Sequence, residues 1–329
     1  MFGMSREIPL RGEVKMGWFK KLVFAAGALG ALVVGGLVIW PIGKVPASIT
    51  QTGDVQRGAY LARVSGCISC HTNSEAGGAA LAGGAGLTTD FGTFFPPNLT
   101  TDKENGIGGW TVEQFAKAVR QGISPSGEPY YPAFSYPFYA DFTDQDIADL
   151  WAAFQTVPPV AEAAPEHEVR FPFDQRWGLK LWRAAYLYDP PTESIDEKNA
   201  QWNRGRELVR GAAHCGACHT PRNIGGGRLL DAVFAGNEAL PGGSKAPSIT
   251  PNSLAERGWT VSNLAYALRT GVTPSGDAFG GSMVEVVQGN TRFLSPDDLE
   301  AMAVYLLDGD EPRADRVAQG EGAAANKDM

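Results

Sequence analysis

"CISCH" at residues 67–71 and "CGACH" at residues 215–219 hold every cysteine of this 329-residue chain. C-x-x-C-H is the attachment signature of c-type haem. The chemistry requires that spacing: two thiols add to the two vinyl groups of the porphyrin, and the next residue stands on the haem face with its imidazole toward the iron. A redox dithiol would need a strand–helix setting and no repeat. A zinc site would have to share ligands between motifs 148 positions apart. Neither alternative explains a histidine directly after both pairs. The sequence therefore predicts two covalently bound haem c groups, held by Cys67, Cys70, Cys215 and Cys218, with His71 and His219 as iron ligands.

Working outward, the chain is an internal duplication. "RGAYLARVSGCISCHT" (Arg57 to Thr72) matches "RGRELVRGAAHCGACHT" (Arg204 to Thr220) with one residue inserted, and "PNLTTD" (Pro97 to Asp102) answers "PSITPN" (Pro247 to Asn252). "GWTVEQFAKAVRQGISPSG" (Gly109 to Gly127) aligns without a gap to "GWTVSNLAYALRTGVTPSG" (Gly258 to Gly276). "FTDQDIADLWAAF" (Phe142 to Phe154) answers "LSPDDLEAMAVYL" (Leu294 to Leu306). Each half reads as a helix entering the haem motif, a Pro/Gly-rich loop, a middle helix near "GWTV", a ligand-bearing loop, and a closing helix capped by Thr143 or Ser295. That is the layout of a small all-helical cytochrome c domain. The fold expected is all-α, with domains at 53–157 and 199–308, a linker at 158–198 and a flexible tail at 309–329.

The duplication breaks at one functional position. Met283 lies in the loop before the closing helix, seven residues after Gly276, where a sixth iron ligand belongs. Seven residues after Gly127 stands Phe134, which has no lone pair to give. Met302, at apolar spacing inside the closing helix and aligned with Leu150, reads as core. For the first haem three substitutes are open: His167, an open iron shielded by Phe134, or another side chain such as Tyr130, Tyr131, Tyr136 or a lysine. His214, the other histidine outside the motifs, reads as a surface group or a partner for a haem propionate. Arg222 reads as a propionate partner or a plain loop arginine, and Trp110 and Trp259 as haem-pocket or core residues.

Charge is unevenly spread. Of the net −8, residues before Leu22 carry +3 and the rest −11. From Leu22 to Gly43 there are 22 residues without a charge, about 33 Å of helix and enough to cross a bilayer. Trp18 and Trp40 flank the run. The Lys/Arg excess precedes it, which predicts a cytoplasmic N-terminus at 1–21, a transmembrane anchor at 22–43, a linker at 44–52 and an exported body. The competing reading, a signal peptide cleaved near Val45-Pro46-Ala47, has too long an apolar run and an awkward proline. The short, terminal positive charge does not suggest nucleic-acid binding. The location expected is the bacterial inner membrane, single-pass, with the haem domains in the periplasm.

"NLTTDKENGIGGWTVEQF", "YPAFSYPFY", "FPFDQRWGLKLW", "WNRGRELVRGAAHCGACHTPRN" and "LSPDDLEAMAVYLL" together resemble the membrane-bound cytochrome c subunit of bacterial alcohol, gluconate and related periplasmic dehydrogenases, over roughly residues 50 to 310. The chain departs from that pattern in ending after the second haem motif, in having Phe134 where the family usually has methionine, and in its N-terminal anchor. It is more similar to shorter diheme relatives, in which "YPAF" and a histidine before "FPF" occur together. By that analogy the resemblance implies His167 as a ligand.

The function expected is electron transfer between a periplasmic or membrane dehydrogenase and the respiratory chain, with a dehydrogenase, quinol oxidoreductase or terminal oxidase as redox partner. An electron carrier is favoured over an enzyme. The rival reading makes haem 1 an open-coordination site, peroxidase-like or oxidising a sulfur compound. A structural tether would leave two intact haem motifs without purpose. In the linker, "FDQRWGLKLWRAAYLY" (Phe173 to Tyr188) predicts a short amphipathic helix displaying Trp177, Leu181, Ala184 and Tyr188, for packing the halves together or for docking a dehydrogenase.

Overall fold

The computed structural model describes residues 16–187 and 195–309. Expectations for 1–15, Tyr188 and 310–329 lie outside the described residues. Residues up to Ile42 and those from Gly43 on form two compact units. In the first, helix α1 (Met16–Ile39) carries Lys20 and Lys21 near its start and is uncharged on every face from Leu22 on. Its Trp18–Leu37 stretch has mean hydropathy 1.6 and no burial within the protein. The helix stops just ahead of Trp40-Pro41, where the proline disfavours helical backbone in the residue before it.

The second unit is mostly helical and carries both motifs. Its first half begins with α2 (Val55–Val64), whose N-cap Asp54 accepts from Arg57 N–H at 2.8 Å. A one-turn helix α3 (Cys67–Cys70) follows. Strands β1 (Leu87–Thr89) and β2 (Gly92–Phe94) form a hairpin in the register Leu87↔Phe94. Next come α4 (Val112–Gln121), with Thr111 and Gln114 as a capping box, and α5 (Asp144–Phe154), capped by Thr143. Ile107, Phe115, Ile147, Leu150 and Phe154 form its core.

Two elements lie among the described residues of the expected linker. Strand β3 (Glu168–Val169) pairs antiparallel with β2, Gly92 opposite Val169, giving a three-stranded sheet in an otherwise helical fold. Helix α6 (Arg176–Tyr186) then crosses from one half to the other. Arg176 donates to Pro129 O at 3.0 Å in the first half, and Trp182 Nε1 to Gly225 O at 2.8 Å in the second. The face that holds it carries Arg176, Trp182, Arg183 and Tyr186, whereas Leu181 and Ala184 point to solvent.

The second half repeats the plan with α7 (Ala200–Glu207), α8 (Gly216–His219), a short α9 (Pro251–Glu256), α10 (Val261–Thr270), α11 (Ser282–Gly289) and α12 (Pro296–Asp308). Thr260 caps α10 and Ser295 caps α12, as their counterparts do in the first half. The residue inserted before the second motif is absorbed as a π-turn at Leu208–Ala212, where Ala213 N–H bonds Leu208 O at 2.8 Å. One extra residue in a helix produces that wider turn. Trp202, Leu208, Leu299, Met302 and Tyr305 fill this core, and Met302 is completely buried.

In both halves the entering helix crosses the closing helix at a glycine. A Cβ at Gly58 would lie 1.8 Å from Asp149 O, and one at Gly205 would lie 1.9 Å from Ala301 O. The preceding arginines clamp the same crossings. Arg57 Nε pairs with Asp149 at 2.7 Å and Arg204 Nε with Asp298 at 2.8 Å. The halves are also tied to each other, since Tyr60 OH donates to Asp298 at 2.6 Å and Arg63 lies 4.3 Å over the Phe293 ring.

Candidate functional site

Each C-x-x-C-H segment is a single helical turn. His71 N–H bonds Cys67 O at 3.0 Å, and His219 N–H bonds Cys215 O at 3.0 Å. Residues three apart on such a turn share a face, so each pair of sulfurs is presented together. Burial pushes the Cys67 and Cys215 thiols up to about 12, with the neighbouring cysteine adding to the effect. Cys70 and Cys218 are raised by burial too, although both keep exposed surface. A nucleophilic redox dithiol needs the opposite shift. Among the described residues no group of three or more His, Cys, Asp or Glu is placed to hold a bare metal ion.

The histidines are fixed alike. His71 Nδ1 lies 2.7 Å from Pro97 O, and His219 Nδ1 lies 2.8 Å from Pro247 O. A carbonyl can only accept, so Nδ1 carries the proton and Nε2 keeps its lone pair, the tautomer and aim of a metal-ligating histidine. Burial lowers His71 to about 4 against the pull of the Pro97 carbonyl. It lowers His219 in the same way, so both rings are neutral near pH 7. The two prolines come from the duplicated "PNLTTD" and "PSITPN" loops. The first is braced by the linker: buried Asn98 donates to Val160 O at 2.8 Å and Glu162 O at 2.9 Å.

The donor set therefore fits haem c: two neutral thiols, one neutral imidazole with a free nitrogen, and a stiff carbonyl behind it. Two further atoms fit as well. Tyr136 OH and Arg183 Nη1 are buried without partners, and the guanidinium lies 5.1 Å over the Tyr136 ring. Adjacent unanswered donors are what a porphyrin carboxylate would satisfy.

A cytochrome c family model matches residues 55–154. A diheme cytochrome c-type protein of Cereibacter sphaeroides is 41% identical over 289 residues, covering 85% of this chain and 96% of that protein. The chain belongs to the diheme c-type cytochromes. It carries covalently bound haem c and transfers electrons. It is also 37% identical to the cytochrome c subunit of a quinone alcohol dehydrogenase of Gluconobacter oxydans, covering 90% of this chain and 61% of that protein. The cytochrome c subunit of gluconate 2-dehydrogenase of Pantoea cypripedii is 38% identical over 77% of this chain and 58% of its own length. This diheme cytochrome thus spans under two thirds of those dehydrogenase subunits.

The positions expected on the far side of each haem differ between the halves. Met283 stands in the first turn of α11, not in a loop, half-buried against the core of the second half. Phe134 sits in a turn at 6.0 Å from both Tyr136 and Tyr139 and 6.1 Å from Tyr130, an aromatic cluster with no sulfur. His167 packs 5.6 Å from Phe94 and from Tyr131, and its Nδ1 accepts from Phe95 N–H at 3.2 Å. An imidazole accepting at Nδ1 holds its proton at Nε2, so ligation through Nε2 requires that hydrogen bond to break. Burial lowers its pKa, with Arg176 adding to the effect.

Other singled-out residues resolve simply. Trp110 and Trp259 are half-buried against the two cores. Arg222 donates to Gly226 O at 2.8 Å and Ala217 O at 3.0 Å, which stiffens the loop after the second motif. His214 is not a surface group. It is wedged between Phe138, Tyr139 and Ser65 of the other half.

Proposed function

We propose that the chain is two tandem cytochrome c domains, 53–157 and 199–308, forming a membrane-tethered relay with one haem per C-x-x-C-H motif. Cys67 and Cys70 would hold haem 1 with His71 toward its iron, and Cys215 and Cys218 would hold haem 2 with His219 in the same role. The observation that supports this most strongly is the duplicated His–carbonyl pair, 2.7 Å at Pro97 and 2.8 Å at Pro247. Once bound, haem supplies one-electron chemistry; the protein's own residues fix the imidazoles, exclude water and set the polarity around each centre.

Met283 is the sixth ligand proposed for haem 2. Met/His ligation raises the reduction potential, so haem 2 is the electron-accepting end. His167 is the candidate ligand of haem 1. The Phe95–His167 hydrogen bond favours a second reading for that centre, an open iron covered by Phe134 that binds a small ligand, with peroxidase-like or sulfur-oxidising chemistry. Addition of cyanide or carbon monoxide separates the two. Inert low-spin spectra at both haems support the relay, and fast binding at one haem supports the open site.

Helix α1 serves as a single-pass anchor in the bacterial inner membrane, with basic residues on the cytoplasmic side and the haem domains in the periplasm. Its uncharged surface from Leu22 on, with Lys20 and Lys21 just ahead of it and Trp18 and Trp40 flanking, supports this. The likeness to cytochrome subunits of alcohol and gluconate dehydrogenases points to a dehydrogenase as electron donor and a quinol oxidoreductase or terminal oxidase as acceptor. Detergent extraction and co-purification test the tether and the partner together.

A further inference from the structure

His214 stands where the first motif has Gly66, directly ahead of the first cysteine. Both residues adopt left-handed backbone, φ 70° at Gly66 and 39° at His214. That conformation suits glycine and strains a residue with a Cβ. A histidine held there breaks the local rule, and its contacts show what it reaches. Nε2 lies 3.3 Å from Ser65 O, the carbonyl two residues before Cys67, and Tyr139 OH donates to the same oxygen at 2.8 Å. The ring packs 6.0 Å from Phe138 and from Tyr139. A Cβ added to Gly66 would lie only 3.5 Å from Nε2. A second tie runs beside it: Ser69 Oγ, inside the first motif, donates to Asn290 Oδ1 at 2.6 Å, just beyond the end of α11.

The segment Ser65–Cys67 and the segment His214–Cys215 are thus bridged by one imidazole, and each ends on a haem-bearing cysteine in the reading above. We infer that His214 is a positioning residue for electron exchange between the two haems. Its imidazole locks the attachment segments against each other and provides a hydrogen-bonded route from one to the other. One electron crosses per event, oxidising one centre and reducing the other by one, and no proton or bond changes at His214. The inference rests on the two-haem reading.

The test uses the full-length, detergent-solubilised protein, with haem counted by pyridine haemochrome before any rate is measured. A single electron is then injected by pulse radiolysis and its redistribution followed in the α-bands. His214→Gln keeps a donor toward Ser65 and is expected to exchange at close to the wild-type rate. His214→Leu keeps bulk without a donor and is expected to slow exchange by about tenfold or more. Both midpoint potentials stay unmoved, which a general loosening of the haem pockets would not allow. His214→Gly restores the residue type found at Gly66, relieves the strain, and is expected to load both haems and behave like the leucine variant. Equal exchange rates in the Gln, Leu and Gly proteins with two haems each would overturn this inference alone. One haem per chain would overturn the two-haem reading and this inference with it.

Discussion

Replacing Gly58 or Gly205 by alanine adds one carbon at the point where the entering helix touches the closing helix. The new Cβ would lie 1.8 Å from Asp149 O or 1.9 Å from Ala301 O, where at least 3.0 Å is needed. The helices must therefore part by more than 1 Å, enough to forfeit roughly a quarter to a half of the dispersion attraction of the atoms at the seam. Overpacking of this kind costs about 1–3 kcal/mol and occasionally more. Helix propensity works the other way, because alanine is favoured over glycine by about 1 kcal/mol in a helix interior. With a carbonyl as the obstacle, and no flexible side chain to swing aside, the clash sits at the top of its range, about 3 kcal/mol, and wins by about 2 kcal/mol. That corresponds to a fall in Tm of roughly 4–8 °C for a body of this size. Circular dichroism at 222 nm during thermal unfolding of the haem-loaded protein measures it. If either alanine variant melts at or above the wild-type temperature, propensity alone is acting. The close crossing, and the equivalence of the two halves built on it, would then be wrong.

Further outcomes are expected elsewhere. Burial alone would raise the Asp149 carboxyl, but bonds from Arg57, Asp54 N–H and Gln145 outweigh burial and hold it below its usual range. A carboxylate with a lower pKa folded than unfolded stabilises above its unfolded value of about 4, and that stability is lost as pH falls through the folded value. Asp149→Asn should therefore lose about 1–2 kcal/mol at pH 7, discounted for the exposed Arg57, and show a flatter stability curve in acid. Met283→Ala should turn haem 2 high-spin, lower its potential and admit about one carbon monoxide per chain, whereas Met302→Ala should cost about 2–5 kcal/mol of stability and leave the spectrum unchanged. Replacing Cys215 and Cys218 together by alanine should leave one covalent haem, still with His71 ligation, as read by haemochrome content.

The site was more legible in the sequence than its surroundings. C-x-x-C-H fixes sulfur and imidazole within a single turn, so local geometry alone places Cys67, Cys70 and His71, and the repeat does the same for Cys215, Cys218 and His219. The caps at Thr143 and Ser295 are likewise local signals, and the structure adds Thr111 and Thr260 at the start of the two middle helices. What lay hidden is long-range. Nothing in "EHEVRFPF" announces that Glu168–Val169 joins the Gly92–Phe94 strand, because a two-residue strand has no periodicity to read. The partner of α6 could not be read either. Its polar residues Arg176 and Arg183 face the protein over Tyr131 and Tyr136, so the outward Leu181 stripe looked like the packing face. His214 gave one signal that could have been used: aligned with Gly66, it puts a histidine where its counterpart is glycine.

Covalent haem stoichiometry tests the account most directly. The full-length chain, stripped of free haem by acid–acetone, should retain two haem c per polypeptide in the alkaline pyridine haemochrome assay. A ratio of one would contradict it, because a single centre leaves no relay for the duplicated histidines to serve.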